Sequence, residues 1–158
     1  MKPPYIFDSS SMHVLRNYYP AQFPTFWSRF EDAIKAGHVK SVREVFNELE
    51  TLQKGMWIWD WVRDNKELFT TPTDDETNFV GTIFGVPHFQ TLVGRIQTLK
   101  GRPVADPFVI ASARCNGGCV VTEESNKPHA SRIPNVCEHF DIAWTNVQGF
   151  LEQNGWAF

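Results

Sequence analysis

The sequence is poor in cysteine, has no long hydrophobic run and carries no excess of positive charge. Its three cysteines, Cys115, Cys119 and Cys137, show no CxxC spacing and no histidine pair beside them, which argues against a zinc site and favours reduced thiols. No apolar stretch approaches the roughly 18 residues that a membrane-spanning helix needs, and the N-terminus lacks the apolar region of a secretory signal. We therefore expect a cytoplasmic protein with no membrane partner.

The charge balance also limits the possible partners. The net charge is −3, so the chain has no broad basic surface of the kind that binds nucleic acid through charge alone. Any contact with nucleic acid has to be local, at a small group of basic residues.

Short apolar runs alternate with helical patterns along the 158 residues, a length that suits one domain with one core. Amphipathic spacing predicts helices between the apolar runs, including one that starts at "TPTDDETN" and continues to about Leu99. Strands separated by helices predict an α/β fold with a parallel sheet covered by helices. The strands are predicted at residues 5–8, 38–42 and 119–122, and a short helix that turns into an edge strand is predicted at residues 135–144.

Acidic residues follow several of these strands or open the neighbouring helices. Asp8 ends the first apolar run, and Glu123 and Glu124 follow the strand "CVVT". Asp106 stands before Pro107, where it is predicted to be the N-cap of a helix. In parallel α/β sheets, sites form at the carboxyl ends of strands and at the helix starts beside them.

A helix after the second strand, "VREVFNELETL", carries two further candidates. At about 100° per residue, Glu48 falls roughly 90° from the centre of the apolar stripe and Glu44 roughly 130°. Glu48 is therefore better placed than Glu44 to point from the edge of the core into a cleft.

Carboxylates that converge in a cleft repel one another, so they must bind protons or share a cation. Mg²⁺ takes oxygen ligands and keeps several waters, and such ions can activate water and stabilise both oxygens of a phosphodiester displacement. Each carboxylate also has a local alternative: Asp8 and Asp106 could simply cap helices, and Glu48, Glu123 and Glu124 could be solvated.

The ordered motifs "YIFDSS", "VREVFNELE", "ADPFVIASA" and "CVVTEESN" resemble the PIN-domain family of metal-dependent ribonucleases. The resemblance covers nearly the whole chain. It implies a single PIN-like nuclease domain over residues 1–158, folded as a three-layer α/β/α sandwich with a mainly parallel central sheet of about four or five strands. An aromatic-rich helical stretch at about residues 55–100 has no close match and is interpreted as an insertion.

The same resemblance implies which residues hold the metal and perform catalysis. The catalytic ligands of Mg²⁺ or Mn²⁺ would be Asp8, Glu48, Asp106 and Glu124, although the family usually has Asp at the last position. Residues that could hydrogen-bond a ligand or replace one are Ser10, Glu44, Thr122, Glu123 and Asn126.

Two groups of side chains could contact RNA. Lys127, His129 and Arg132 lie in the polar loop after Glu124 and could hold RNA phosphates. The tryptophans of the helix at residues 55–66 could stack on RNA bases. Trp57 and Trp61 share a face that we assign to the core instead, whereas Trp59 faces another way and could offer a partner surface.

The resemblance implies a metal-dependent endoribonuclease, and small stand-alone members of the family are frequently toxins of bacterial toxin–antitoxin pairs. The expected partners are an RNA substrate and an antitoxin protein, and a homodimer is left open. One alternative is a catalytically weak or inactive PIN-like domain that binds protein or RNA. Another is a haloacid-dehalogenase-like phosphatase, which would need a second Asp where Ser10 stands.

Overall fold

A computed structural model describes residues 3–92 and 104–158, which form five strands and eight α-helices. The strands are β1 (Tyr5–Phe7), β2 (Val39–Val42), β3 (Phe69–Thr70), β4 (Cys119–Val121) and β5 (Ala143–Thr145). The helices are α1 (Ser9–Val14), α2 (Pro24–Lys35), α3 (Arg43–Gln53), α4 (Trp57–Asp64), α5 (Asp74–Phe84), α6 (Asp106–Asn116), α7 (Ile133–His139) and α8 (Val147–Gln153). Short 3₁₀ turns follow at Leu15–Asn17, Lys66–Leu68 and Pro87–Gln90.

The five strands form one parallel sheet in the order β3-β2-β1-β4-β5. The sheet and its flanking helices make a three-layer α/β/α sandwich, which confirms the predicted fold class. β1 lies at the centre, the chain runs from it to β2 and β3 on one side, and β4 and β5 lie on the other. The reversal of strand order falls between β1 and β4, and such a switch point opens a crevice at the carboxyl ends of the two strands.

Buried aromatic and aliphatic side chains join the sheet to its helices. Phe7 of β1 packs edge-on against Phe30 of α2 and Phe150 of α8, with ring centroids 5.4 and 5.1 Å apart. α6 packs on β1, β2 and β4 and is itself packed against α5. Because α6 is enclosed on both sides, its residues from Val109 to Ala113 are buried, and its first turn is held firmly at the switch point.

The aromatic-rich stretch contributes to the central sheet. β3 pairs with β2 through Ser41–Phe69 and Val42–Thr70, so the stretch supplies an edge strand. Two residues are too few for periodicity to reveal, and the sequence therefore did not predict this strand. The helix predicted from "TPTDDETN" to Leu99 ends at Phe84, and a 3₁₀ turn follows at Pro87. The last part of that prediction, residues 93–99, lies outside the described residues.

The three tryptophans of α4 differ from the prediction in one respect. Trp57 and Trp61 do pack against Trp27 of α2, at 5.7 and 4.9 Å between ring centroids. The prediction for Trp59 was wrong, because its side chain is buried and packs on Phe46 of α3. α4 is therefore clamped between two helices and buries aromatic side chains on more than one face.

None of the helices in residues 3–92 and 104–158 is long and apolar enough to cross a membrane. This agrees with the absence of long apolar runs in the sequence.

Gly118 precedes β4 and is expected to be intolerant of any side chain. A Cβ atom there would lie 2.5 Å from the carbonyl oxygen of Pro4, which accepts the hydrogen bond of Cys119 N–H that begins the β1–β4 ladder. Gly118→Ala should lower the free energy of unfolding by about 1–3 kcal/mol, because the two central strands must move apart. A Cβ atom at Gly81 in α5 would meet no atom within 4 Å, so Gly81→Ala should raise the free energy of unfolding by about 0.5–1 kcal/mol. Urea unfolding measures both, and equal effects of the two changes would contradict this packing.

Candidate functional site

The carboxyl ends of β1 and β4 meet at the switch point of the sheet. Phe7 and Val121 are paired in the ladder, so Asp8 and Thr122 emerge side by side. Asp8 N–H donates to the Val121 carbonyl at 3.1 Å, and the Thr122 hydroxyl donates to Asp8 Oδ2 at 2.6 Å. Hydrogen bonds therefore hold Asp8 and Thr122, the first residues beyond the two strands, next to each other.

Asp8 is buried and accepts hydrogen bonds on both carboxylate oxygens. Its Oδ1 accepts from Ser11 N–H at 2.8 Å, which makes Asp8 the N-cap of α1, and Ser10 Oγ lies 2.9 Å from each oxygen. Burial raises the pKa of Asp8 from an ordinary value of 3.8 to about 6, and the hydrogen bonds from Thr122, Ser11 and Ser10 oppose that rise only in part. The site thus contains a carboxylate whose charged form is poorly solvated, which is the condition that a bound cation relieves.

Glu48 joins three segments at the rim of the same crevice. Its Oε2 accepts from Ser9 Oγ at 2.5 Å, and its Oε1 accepts from Ala105 N–H at 2.8 Å. The contact with Ala105 fixes the start of α6, where Asp106 is buried as the first helical residue. The N-cap is Ala105, so the predicted capping role of Asp106 was wrong, and Glu48 supplies the acceptor that a capping side chain would otherwise provide.

Glu123 and Glu124 leave β4 in different directions. Glu124 Oε2 accepts from Ile133 N–H at 2.9 Å at the start of α7, and its own N–H donates to Thr122 Oγ1 at 3.1 Å. Glu123 Oε1 accepts from Val147 N–H at 2.8 Å at the start of α8. Glu124 lines the crevice, whereas Glu123 is exposed and does not line it.

One cleft of about 590 Å³ brings all four predicted ligands together. Asp8, Glu48, Asp106 and Glu124 come from four separate segments of the chain. The other lining residues are Ser9, Ser10, His13, Arg16, Leu52 and Met56.

The carboxylates do not form a closed coordination shell. Within residues 3–92 and 104–158, no three His, Cys, Asp or Glu side chains lie close enough together to hold a metal ion. Two of the four, Glu48 and Glu124, are bonded to backbone amides of other segments. These amide bonds engage one oxygen of each glutamate.

The sequence model of one family, described as a domain of unknown function (DUF4411), matches residues 5–158. The chain belongs to this family. No curated protein matches the chain. Among solved structures, the DUF4411 chain is similar to PAE2754 from Pyrobaculum aerophilum, with 16% identity, a TM-score of 0.44 and 97% of each chain covered. A likeness at that level carries no information about the site.

Several other predicted site residues of the DUF4411 chain lie elsewhere. Glu44, which was predicted as an alternative ligand, is buried and pairs with Arg43 at 2.8 Å, and it does not line the cleft. Asn126 donates to Glu138 and accepts from Asn135, and so braces the loop before α7. The described residues that line the cleft do not include Glu44, Asn126, Lys127, His129 or Arg132.

Four residues of the cleft were not selected from the sequence. His13 and Arg16 belong to the segment that follows Asp8, and Leu52 and Met56 lie around the turn between α3 and α4. Ser9, His13 and Arg16 are separated by four and three residues, the spacing of one helical face, and that spacing could have indicated them. Leu52 and Met56 offered no signal, because apolar residues near helix ends are usually assigned to the core.

Replacement of Asp8 is expected to stabilise the metal-free protein near neutral pH. A pKa of about 6 in the folded state against 3.8 in the unfolded chain means that the folded state binds the proton more tightly. The protonated Asp8 carboxyl therefore contributes fully to the free energy of unfolding below about pH 4. This contribution, about 3 kcal/mol, is lost as the pH rises through 6. Asp8→Asn avoids that loss, because an amide can still accept from Ser11 and contact Thr122. Urea unfolding in EDTA should therefore show a stability difference in favour of the variant that grows between pH 4 and 7.

The matched control for this experiment is Asp32→Asn on α2, where the carboxylate is exposed. Its difference from the wild type should not change over the same pH range. An Asp8→Asn protein that is less stable than the wild type by the same amount at every pH would contradict the assigned cost of burying the carboxylate.

Proposed function

We propose that this protein is a metal-dependent endoribonuclease that hydrolyses RNA phosphodiester bonds. The observation that supports the proposal most strongly is the lining of one cleft by Asp8, Glu48, Asp106 and Glu124. These residues are as many as 116 positions apart in the sequence, from Asp8 to Glu124, and they meet at the switch point of a parallel sheet, where ligands commonly bind.

The donor set suits a hard divalent cation. All four candidate ligands are carboxylates, which Mg²⁺ and Mn²⁺ prefer, and Mg²⁺ commonly uses one or two protein carboxylates and keeps several waters. The candidate ligands are Asp8, Glu48, Asp106 and Glu124. Because Asp8, Glu48 and Glu124 already accept hydrogen bonds from backbone amides, water would bridge part of their contact with the cation. A cation bound there would polarise water and the phosphate and stabilise the charge that develops during displacement.

The surrounding side chains hold this set in place. Thr122 and Ser10 orient the Asp8 carboxylate, and Ser9 does the same for Glu48. Because the Thr122 hydroxyl also accepts from Glu124 N–H, one side chain positions two of the four acidic residues. A site held by such interlocked hydrogen bonds needs little reorganisation when a charged ligand arrives.

Cleavage of single-stranded RNA by the purified protein is expected to require Mg²⁺ or Mn²⁺ and to depend on the cleft carboxylates. Asp8→Asn and Asp106→Asn should each lower the cleavage rate at least about a thousandfold, since metal stabilisation is worth several kcal/mol and about 1.4 kcal/mol corresponds to tenfold. Glu50→Gln is the matched control, because Glu50 is exposed on the same helix as Glu48 and does not line the cleft. Cleavage by Asp8→Asn at the wild-type rate, with the fold intact, would exclude the proposed chemistry.

The amide contacts of Glu48 and Glu124 favour a second candidate, a catalytically weak or inactive domain that binds RNA or protein. In that case the glutamates act as helix caps and the cleft holds no cation. Titration with Mn²⁺, followed by thermal unfolding and by direct metal binding, separates the two functions. The nuclease should gain thermal stability with Mn²⁺, and Asp8→Asn should not. A wild type that binds no Mn²⁺ and cuts no RNA would support the binding domain.

The proposal extends to the role of toxin in a toxin–antitoxin pair, and it is supported by the sequence resemblance to PIN-domain ribonucleases. Induced expression of the wild type should slow bacterial growth, because uncontrolled RNA cleavage removes transcripts. Expression of Asp8→Asn to the same level should not slow growth, and a small neighbouring gene should restore growth when co-expressed. Equal growth inhibition by both forms would assign the toxicity to something other than cleavage.

A further inference from the structure

The lining of the cleft also includes groups whose chemistry differs from that of the carboxylates. Four carboxylates line the cleft, and a polyanion such as RNA would be repelled by them even if one cation were bound. The only residues of basic type among the described residues lining the cleft are His13 and Arg16. They lie four and seven residues after Ser9, in α1 and in the 3₁₀ turn that follows it.

Arg16 is not neutralised by the carboxylates with which it shares the cleft. The ion pairs within residues 3–92 and 104–158 are Arg43–Glu44 and Arg63–Asp60, and neither involves Arg16. Its backbone is held in place, because Trp57 Nε1–H donates to the Arg16 carbonyl at 3.1 Å and the neighbouring Leu15 is fully buried. A half-buried guanidinium on a fixed turn is thus left to bind an anion, for which its planar fork is well suited.

His13 lies one helical turn before Arg16 and is oriented by α3. Its Nδ1 lies 3.2 Å from Nε2 of Gln53, which is fully buried, and this contact leaves Nε2 of the imidazole for a ligand. Burial, and to a smaller extent the charge of Arg16, lowers the pKa of His13. Arg16 therefore supplies the positive charge of the cleft lining, and His13 contributes a hydrogen-bonding group.

An exposed apolar rim adjoins the two basic residues. Leu52 is 57% exposed and Met56 is 38% exposed, and both line the cleft around the turn from α3 to α4. Large apolar side chains left open beside a charged cleft are typical of a surface that contacts a ligand. A nucleobase presents an apolar face of the right kind, whereas a simple phosphate ion does not.

We propose that single-stranded RNA enters the cleft along the α1–α3 side, with one phosphate bound by Arg16 and His13 and an adjacent base packed against Leu52 and Met56. This inference rests on the proposed ribonuclease function and assigns its substrate-binding side. It differs from the path expected from the sequence, over Lys127, His129 and Arg132. The guanidinium of Arg132 donates to Ser125 at 3.2 Å and belongs to the loop before α7.

The test measures RNA binding without cleavage. The parent protein is Asp106→Asn with Mg²⁺, and the probe is a fluorescein-labelled 12-nucleotide oligouridine followed by fluorescence anisotropy at several salt concentrations. Adding Arg16→Gln should weaken binding about tenfold, the worth of a charge-assisted hydrogen bond, and should lower the slope of log K against log salt by about 0.7. Adding Leu52→Asn should weaken binding about threefold and leave that slope unchanged, because a base contact releases no counterions.

Two matched variants complete the design. Arg63→Gln removes an exposed arginine of α4 that does not line the cleft, and Arg132→Gln removes the arginine on the alternative path. Each should change the affinity less than twofold. Circular dichroism of every variant confirms that the fold is retained.

The possible outcomes separate this inference from the proposed function. If the parent binds RNA and Arg16→Gln binds it equally well, or Arg132→Gln loses more affinity than Arg16→Gln, the assigned side is wrong and the nuclease proposal stands. If neither the parent nor the wild type with Ca²⁺ binds RNA, the proposed function itself fails. The inference is supported if Arg16→Gln lowers the slope of log K against log salt and neither Arg63→Gln nor Arg132→Gln does so.

Discussion

The hydrogen bond that Thr122 donates to Asp8 joins the ends of the two central strands, and the acidic cleft depends on it. β1 and β4 are parallel and paired in register, so the first residues beyond them are neighbours by construction. Asp8 also caps α1 through Ser11 N–H, and Thr122 also accepts from Glu124 N–H. Two short polar side chains thereby set the direction in which the chain leaves both strands. The cost is a carboxylate buried in the core, and burial raises the pKa of Asp8 to about 6.

The glutamates of this site have a structural role that is compatible with the proposed catalytic one. Glu48, Glu123 and Glu124 each accept a hydrogen bond from the backbone N–H at or just before the start of another helix, where such N–H groups have no partner within the helix. These bonds hold α6, α8 and α7 at one edge of the sheet. For Glu124 the bond uses Oε2 and leaves Oε1 for another partner. The Glu124 carboxylate can therefore hold the start of α7 and, in the proposed function, also bind a cation through water.

The cleft has a mixed lining, and this mixture suits the proposed substrate. Carboxylates from α3, α6 and the two strand ends line it together with Arg16, His13 and the exposed apolar residues Leu52 and Met56. A nucleic acid strand has the matching character, because it alternates a charged backbone with apolar base faces. The net charge of −3 excludes attraction over the whole surface. Arg16, which forms no ion pair within the described residues, would instead attract a phosphate locally at the cleft.

The sequence by itself determined the class of fold, because apolar runs of strand length separated by amphipathic helices can bury their hydrophobic faces only as a helix-covered parallel sheet. It also indicated the four carboxylates that line the cleft, through strand ends and a helix start for Asp8, Glu124 and Asp106, through helical periodicity for Glu48, and through the resemblance to the PIN-domain family for the set. Tertiary structure alone decided the rest. β3 is two residues long and exists only because β2 offers an edge to pair with. Trp59 is buried because α4 is clamped between neighbours, and Arg16 reaches the cleft because Trp57, far along the chain, holds its backbone. Contacts between distant segments leave no periodic mark on either segment, so they become visible only once the chain has folded.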